Sequence, residues 1–143
     1  MESLSVPGTL ESLSVIADFI KQAAAVASLD KKAAYQLRLA VDEIATNIIV
    51  HGYEEAGLEG NVSLSFEVDD KTLTFAIEDS GMAYDPRQHL LPEEDALRQP
   101  LEEREIGGLG IFLALKGVDQ FLYERDGSIN RNIFVMNRST GSA

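Results

Sequence analysis

Two neighbouring segments with strict alternation of polar and apolar residues constrain the fold of this chain most strongly. A period of two residues is typical of a strand that buries one face. The polar stretch Asp69–Lys71 between the two segments favours a tight turn, so together they predict an antiparallel hairpin. Its apolar face comprises Val62, Leu64, Phe66, Val68, Leu73, Phe75 and Ile77.

The residues before this hairpin predict a short strand and two amphipathic helices. Glu2–Val6 forms the strand and ends at a Pro-Gly turn. Thr9 is placed to cap the first helix and Asp30 the second, because both are preferred N-cap residues. Apolar residues then recur at helical spacing in each segment. We expect the second helix to end at Gly52 and the acidic stretch that follows it.

The rest of the chain predicts a long loop, a helix and a second hairpin. Periodicity fails from Asp79 to Ile106, and loops of this length are usually functional. A helix begins after Gly110, and the strands Gln120–Arg125 and Ile129–Asn137 meet at an Asp-Gly turn. The order of elements predicts an α/β (α+β) two-layer sandwich, with a mixed, largely antiparallel sheet covered on one face by helices. We expect a single domain over residues 1–143.

Composition excludes several classes of function. The net charge of −12 disfavours binding to nucleic acid and to anionic membranes, because both carry phosphate groups. The chain contains no cysteine, which rules out disulfides and thiolate metal sites. No basic leader with an apolar core begins the sequence, and no apolar segment reaches the length of a membrane span. We therefore expect a cytoplasmic protein.

The first group of candidate functional residues lies on the second helix. Glu43, Asn47 and His51 recur at every fourth position, on the border of the apolar stripe. A carboxylate in such a position can act as a general base, and an amide oxygen can bind Mg²⁺. The same short pattern also occurs on ordinary helix surfaces, and His51 fits a hydrogen-bonded structural role as well as a role at the site.

The second and third groups are glycine-containing turns. Asp79 ends an apolar strand and precedes Ser80-Gly81-Met82-Ala83, so its carboxylate can accept a hydrogen bond from the amino group of adenine. An ordinary turn is the alternative interpretation. The third group, Gly107-Gly108-Leu109-Gly110, directly precedes a helix, where free backbone N–H groups can bind phosphate. A flexible hinge is the alternative there, and the absence of a following Lys-Ser or Lys-Thr excludes a Walker P-loop.

In their order and spacing, these three groups resemble the N box, G1 box and G2 box of the GHKL superfamily, which is named after gyrase, a heat-shock chaperone, histidine kinases and a mismatch-repair ATPase. The long segment at about residues 85–106 corresponds to the nucleotide lid of that family. Within the superfamily, the chain most resembles the anti-sigma-factor serine/threonine kinases of stress and sporulation partner switches. Residues that carry this resemblance are Glu43, Asn47, His51, Tyr53, Tyr84, Asp85, Pro86 and the glycines from Gly107 to Gly110.

The resemblance implies ATP and Mg²⁺ as cofactors and a role for each matched residue. Glu43 would be the catalytic base, Asn47 the metal ligand, and Asp79 the residue that binds adenine. The remaining cofactor-binding positions would be His51, Gly81, Ala83, Arg104, Gly107, Gly108, Leu109 and Gly110. Arg104 would meet the γ-phosphate from the lid, with Arg87, Arg98 and Lys116 as other candidate cations. We expect Tyr35, Met82 and Tyr84 to be packing residues.

Two functions therefore compete. The resemblance implies a protein serine/threonine kinase and anti-sigma factor that phosphorylates an anti-anti-sigma (STAS-type) partner and acts as a homodimer. The alternative is a non-catalytic ATP-binding module that sequesters a sigma factor or another regulator. A histidine kinase is a third possibility, but no helical segment with a phosphoacceptor histidine precedes the domain in this sequence.

Overall fold

Five strands form one sheet in the part of the chain described by the computed structural model, which comprises residues 2–86, 111 and 114–138. The elements in chain order are β1 (Glu2–Pro7), α1 (Leu13–Val26), α2 (Lys31–Asn47), β2 (Asn61–Val68), β3 (Thr72–Asp79), β4 (Gln120–Asp126) and β5 (Ile129–Asn137). A 3₁₀ turn at Leu10–Ser12 precedes α1, and a π-helical segment, Ile48–Glu54, follows α2. Ile111 and residues 114–116 are also helical.

The strand order is β1-β2-β3-β5-β4, and each of these pairs is antiparallel. Both predicted hairpins are present, β2–β3 and β4–β5. β5, the last strand among the described residues, lies between β3 and β4 and pairs with both. The two-layer α+β fold predicted from the sequence is thereby confirmed. None of the described helices is long and apolar enough to cross a bilayer.

The helices cover the inner face of the sheet. Alternation along β2, β3 and β5 places every second side chain on this face, where Phe66, Phe75 and Phe134 are buried. From α1, Phe19 packs against two of these rings, with centroid distances of 5.2 Å to Phe66 and 5.9 Å to Phe75. Leu37 of α2 is fully buried in the same core. The apolar stripes predicted for both helices therefore form one core with the sheet.

The two predicted helix caps differ. The Asp30 carboxylate accepts a hydrogen bond from the backbone N–H of Ala33 at 2.7 Å, as expected for a residue that caps α2. Thr9 occupies the N-cap position of the 3₁₀ turn, but its side chain makes no capping hydrogen bond. Its carbonyl instead accepts from Ser12 N at 3.0 Å. The prediction of a Thr9 side-chain cap is wrong, because the chain enters α1 through a tighter 3₁₀ turn that uses backbone bonds.

The second helix passes Gly52 and ends at Glu54, the first residue of the acidic stretch at which the sequence predicts its end. It continues through the π-helical segment Ile48–Glu54, where the backbone N–H of Glu55 donates to the carbonyl of Val50 at 2.8 Å. Hydrogen bonds across five residues define a π-helix, which is rare and often lies at functional sites. Gly52 and Tyr53 are both buried in this segment. The wider turn thus brings them towards the end of β3.

The inner face of the sheet changes from apolar to polar at one end. On β5, Phe134 and Met136 continue the core, whereas Asn132 and Asn130 occupy the same face towards the start of the strand. Asn130 lies opposite Asp79, the last residue of β3. All three polar side chains are at most 4% exposed. The sheet therefore presents a buried polar cluster to the end of α2.

Candidate functional site

A cavity lies between the polar end of the sheet and the junction of α2 with the π-helical segment. The helical side contributes Ile44, Asn47, Ile48 and Gly52, and the sheet contributes Asp79, Asn130 and Asn132. The loop after β3 adds Met82, Tyr84 and Pro86. The lining is mostly apolar with a few convergent polar groups, a composition typical of small-molecule sites.

Asp79 is the buried ionisable group of this cavity. Its Oδ1 accepts hydrogen bonds from the backbone N–H of Gly81 at 2.9 Å and from Asn130 Nδ2 at 3.0 Å. Burial raises the pKa of the carboxyl, and the Asn130 bond, the Gly81 bond and the positive charge of Arg125 each lower it. The net pKa lies above the ordinary value, since removing a carboxylate from water disfavours its charged form.

Two buried side-chain polar atoms in the described part of the chain have no hydrogen-bond partner, and both belong to residues that line this cavity. They are Oδ2 of Asp79 and Oδ1 of Asn132. An unpaired buried acceptor costs free energy, about 1–3 kcal/mol for a neutral group. A ligand that donates hydrogen bonds would satisfy these atoms. These two acceptors therefore fit a planar base with an exocyclic amino group, such as adenine.

Asn47 presents its amide oxygen rather than its nitrogen. Its Nδ2 donates to the backbone carbonyl of Glu43 at 2.7 Å, which leaves Oδ1 available to a ligand or a metal ion. Glu43 is half-buried and lies one helical turn away, about 6 Å along the axis. It does not line the cavity, whereas Asn47 does. The structure thus brings Asn47 and Asp79 to one cavity and places Glu43 beside it.

The other predicted site residues either do not line the cavity or lie outside the described residues. His51 is exposed, and its Nδ1 lies within hydrogen-bonding distance of Glu55, a contact that fits the structural alternative; it does not line the cavity. Gly81 is buried beside Asp79, whereas Ala83 is exposed. Arg104 and the predicted phosphate-binding residues Gly107, Gly108, Leu109 and Gly110 lie outside the described residues. So does most of the predicted lid, at 87–106.

Sequence reasoning missed the two asparagines and misjudged two larger side chains. Asn130 and Asn132 occupy core-facing positions of an alternating strand. A polar residue in such a position can indicate a buried polar site, and this signal could have identified both asparagines. Tyr35 is 66% exposed and Met82 is 61% exposed, so the prediction that these two are packing residues is wrong. Tyr84 is partly buried against the core.

Comparison with known proteins gives the same assignment as the sequence motifs. Residues 6–136 match the sequence model of the histidine kinase-like ATPase domain. The chain is 29% identical over 96 residues to "Serine-protein kinase RsbW" of Halalkalibacterium halodurans, covering 65% of this chain and 56% of that protein. It is 31% identical over 94 residues to "Serine-protein kinase RsbW" of Staphylococcus epidermidis, with 63% and 58% coverage.

A third relative has a different name. The "Anti-sigma F factor" of Bacillus licheniformis is 34% identical over 79 residues, which cover 52% of this chain and 49% of that protein. The matched regions thus span about half the length of these relatives. This agrees with the predicted resemblance to anti-sigma-factor kinases.

Solved structures support the fold. The histidine kinase domain of the blue-light activated histidine kinase from Erythrobacter litoralis EL346 superposes with a TM-score of 0.53 at 18% identity, over 90% of this chain and 60% of that one. The histidine kinase AdeS of Acinetobacter baumannii gives a TM-score of 0.50 at 14% identity, over 97% and 70%. At these identities the similarity concerns the fold alone.

Proposed function

The chain belongs to the histidine kinase-like ATPase domain family, and on this premise we propose that it is a protein serine/threonine kinase that transfers the γ-phosphoryl group of ATP to an anti-anti-sigma partner. Family membership implies ATP binding. The observation that carries the proposal is the shared cavity, in which Asp79 offers an unpaired buried carboxylate oxygen and Asn47 an available amide oxygen. Residues 1–143 would act as one ATP-binding domain.

Adenine would enter the cavity at the polar end of the sheet. Its exocyclic amino group would donate to Asp79 Oδ2, the oxygen without a protein partner. Apolar lining residues such as Ile44 and Ile48 would contact the base. The buried carboxylate and its neighbours select adenine because a 6-oxo base would place an acceptor against an acceptor.

The triphosphate would extend towards the helix border. Asn47 would hold Mg²⁺ through Oδ1, and in the described residues no group of three or more His, Cys, Asp and Glu side chains forms a separate metal site. A single protein ligand is usual for Mg²⁺, which also takes phosphate oxygens and water. When bound, the ion neutralises phosphate charge. The phosphates would be contacted by Arg104 and by Gly107, Gly108, Leu109 and Gly110.

Glu43 would act as the general base. Its carboxylate accepts the proton of a partner serine or threonine as the hydroxyl oxygen attacks the γ-phosphorus. The bond from that phosphorus to the β–γ bridging oxygen breaks, and ADP leaves. Because Glu43 lies one turn from Asn47, the base and the proposed Mg²⁺ ligand are held by one helix.

Transfer of labelled phosphate tests this function. We would incubate the protein with Mg²⁺ and γ-labelled ATP, adding STAS-domain proteins and sigma factors from the same organism. Glu43→Gln should reduce transfer by about 10²–10⁴-fold with ATP affinity nearly unchanged. Glu67→Gln is the matched control, since Glu67 is exposed on the outer face of β2.

The outcomes separate the two candidate functions. Transfer that depends on Glu43 supports the kinase. In the alternative outcome, the wild type forms a stable complex with a sigma factor or a STAS protein and transfers no phosphate. That result would contradict the kinase proposal and support a sequestering module. A wild-type protein that binds no ATP would overturn both. Light scattering of the purified protein tests the expected homodimer in the same preparation.

A further inference from the structure

Asn130 is the hub of a buried hydrogen-bond network that the proposed mechanism does not use. Its side chain is 2% exposed, at the start of β5 and opposite the end of β3. Nδ2 donates to Asp79 Oδ1 at 3.0 Å and to the carbonyls of Gly81 and Met82, both at 3.2 Å. One amide nitrogen thus contacts both Asp79 and the turn that follows it.

Two donors from β4 fix the direction of this amide. The hydroxyl of Tyr123 donates to Asn130 Oδ1, and Arg125 Nη1 donates to the same oxygen at 2.8 Å. A guanidinium has no acceptor, so the atom facing it must be the oxygen. If the amide were reversed, its oxygen would face the Asp79 carboxylate and two carbonyls. Tyr123 and Arg125 therefore hold Nδ2 on the Asp79 side.

This direction decides which carboxylate oxygen is free. Oδ1 of Asp79 is occupied by Asn130 and by Gly81 N, whereas Oδ2 has no partner. A carboxylate anchored through one oxygen by two donors cannot rotate without breaking both bonds. The arrangement reserves one oxygen of a buried carboxylate for a ligand.

We propose that Asn130, oriented by Tyr123 and Arg125, is the positioning residue that gives the Asp79 site its preference for an amino-bearing purine. The inference rests on the proposed ATP binding and goes beyond it, because it assigns base discrimination to a residue that contacts Asp79 rather than the base. Arg125 is the one charged side chain among the described residues that lowers the pKa of Asp79. It belongs to the same hydrogen-bond network.

The test compares ATP with inosine triphosphate, which carries a 6-oxo group in place of the amino group. Dissociation constants for both are measured by calorimetry on the wild type and on Asn130→Asp. This substitution keeps the shape and the oxygen facing Tyr123 and Arg125, but replaces the donor to Asp79 by a second carboxyl oxygen. In Asn130→Asp, the affinity for ATP divided by the affinity for inosine triphosphate should fall by about tenfold, since a hydrogen bond to a buried charged group is lost.

Controls separate positioning from general damage. Asn137→Asp makes the same chemical change on the same strand at an exposed position, and should leave the ratio unchanged. Tyr123→Phe removes one donor to Asn130 Oδ1 and should give a smaller fall in the ratio. It also serves if Asn130→Asp does not fold. The acid limb of ATP binding is the pH range in which ATP affinity falls as Asp79 becomes protonated. This limb should move to higher pH in Asn130→Asp, because a neighbouring carboxyl raises the pKa of Asp79 further.

Each outcome decides the proposal. A lower ratio with a shifted acid limb supports it. Equal loss of affinity for both nucleotides, with an unmoved limb, would show that Asn130 is only structural. An unchanged ratio in both Asn130→Asp and Tyr123→Phe overturns the inference while the wild-type preference for ATP leaves the proposed function intact. If the wild type binds neither nucleotide, the inference and the proposed function both fail. In that case Asp79→Asn, measured in parallel, has the same lack of nucleotide affinity as the wild type.

Discussion

Gly81 lies so close to the backbone carbonyl of Gly52 that position 81 has no room for a side chain. A Cβ atom on Gly81 would lie 2.7 Å from the carbonyl oxygen of Gly52. The adjacent Met82 N–H donates to that same oxygen at 3.0 Å. This contact joins the π-helical segment to the turn after β3, and both segments line the cavity. The width of the cavity therefore depends on a glycine at position 81.

Replacing Gly81 by alanine should destabilise the protein by about 1–3 kcal/mol, because backbone atoms must shift to accept the new methyl group. ATP affinity should fall as well, since the same Cβ lies 3.1 Å from Asp79 Oδ1. Urea unfolding measures the first effect. Gly52→Ala is the control for folding, because its Cβ would meet only Ile48 Cγ2, at 4.0 Å. Equal stability of Gly81→Ala and the wild type would contradict the prediction.

Replacing Tyr53 by phenylalanine should loosen the same junction. The buried hydroxyl donates to the carbonyl of Asn61 at 2.7 Å and accepts from the N–H of Ser80 at 2.8 Å. Its removal leaves two backbone groups unpaired, at a cost of roughly 1–3 kcal/mol. Chemical denaturation should show this loss, whereas Tyr35→Phe, at a 66% exposed position, should change stability by less than about 0.5 kcal/mol. Similar effects of the two substitutions would argue against it.

Asp79→Asn should abolish stabilisation by ATP and yet raise the melting temperature of the ligand-free protein at pH 7–8. Burial raises the pKa of Asp79 in the folded state, so its charged form opposes folding above that pKa. Asparagine removes this penalty, with a gain of about 2–4 °C for each 1 kcal/mol. The gain should shrink as pH falls through the folded pKa and vanish below the unfolded value.

Thermal melts of both proteins from pH 5 to 8, with and without ATP and Mg²⁺, check this pair of effects. A variant that is less stable than the wild type at pH 8 would show that the Asp79 charge supports the fold. A variant that ATP still stabilises fully would show that Asp79 does not contact the base.

Asp30→Ala should cost about 1 kcal/mol, the usual value of a lost N-cap bond. The carboxylate accepts from Ala33 N at the start of α2, the helix that carries Glu43 and Asn47. Thr9→Ala is the matched control, because the Thr9 side chain makes no capping bond and its loss should be nearly neutral. Guanidinium unfolding of both variants measures the difference. A larger loss in Thr9→Ala would reverse the assignment of the caps.

Much of this fold could be predicted from local patterns. The β2–β3 hairpin follows from alternation around Asp69–Lys71, and the start of α2 follows from the Asp30 cap. The π-helical segment could not be predicted from local patterns, and its Tyr53 hydroxyl accepts a hydrogen bond from Ser80 N, 27 residues later in the chain. Local propensity gave no sign of it.

Local sequence patterns account for the chemical groups near the site and for the formation of each helix and strand. Helical periodicity placed Glu43 one turn from Asn47, and the end of an apolar strand placed Asp79 beside Gly81. The contact between Asp79 and Asn130, 51 residues later in the chain, arises from tertiary folding. That pairing depends on the register of β3 with β5, and the register is set by the packing of a shared core rather than by any local preference.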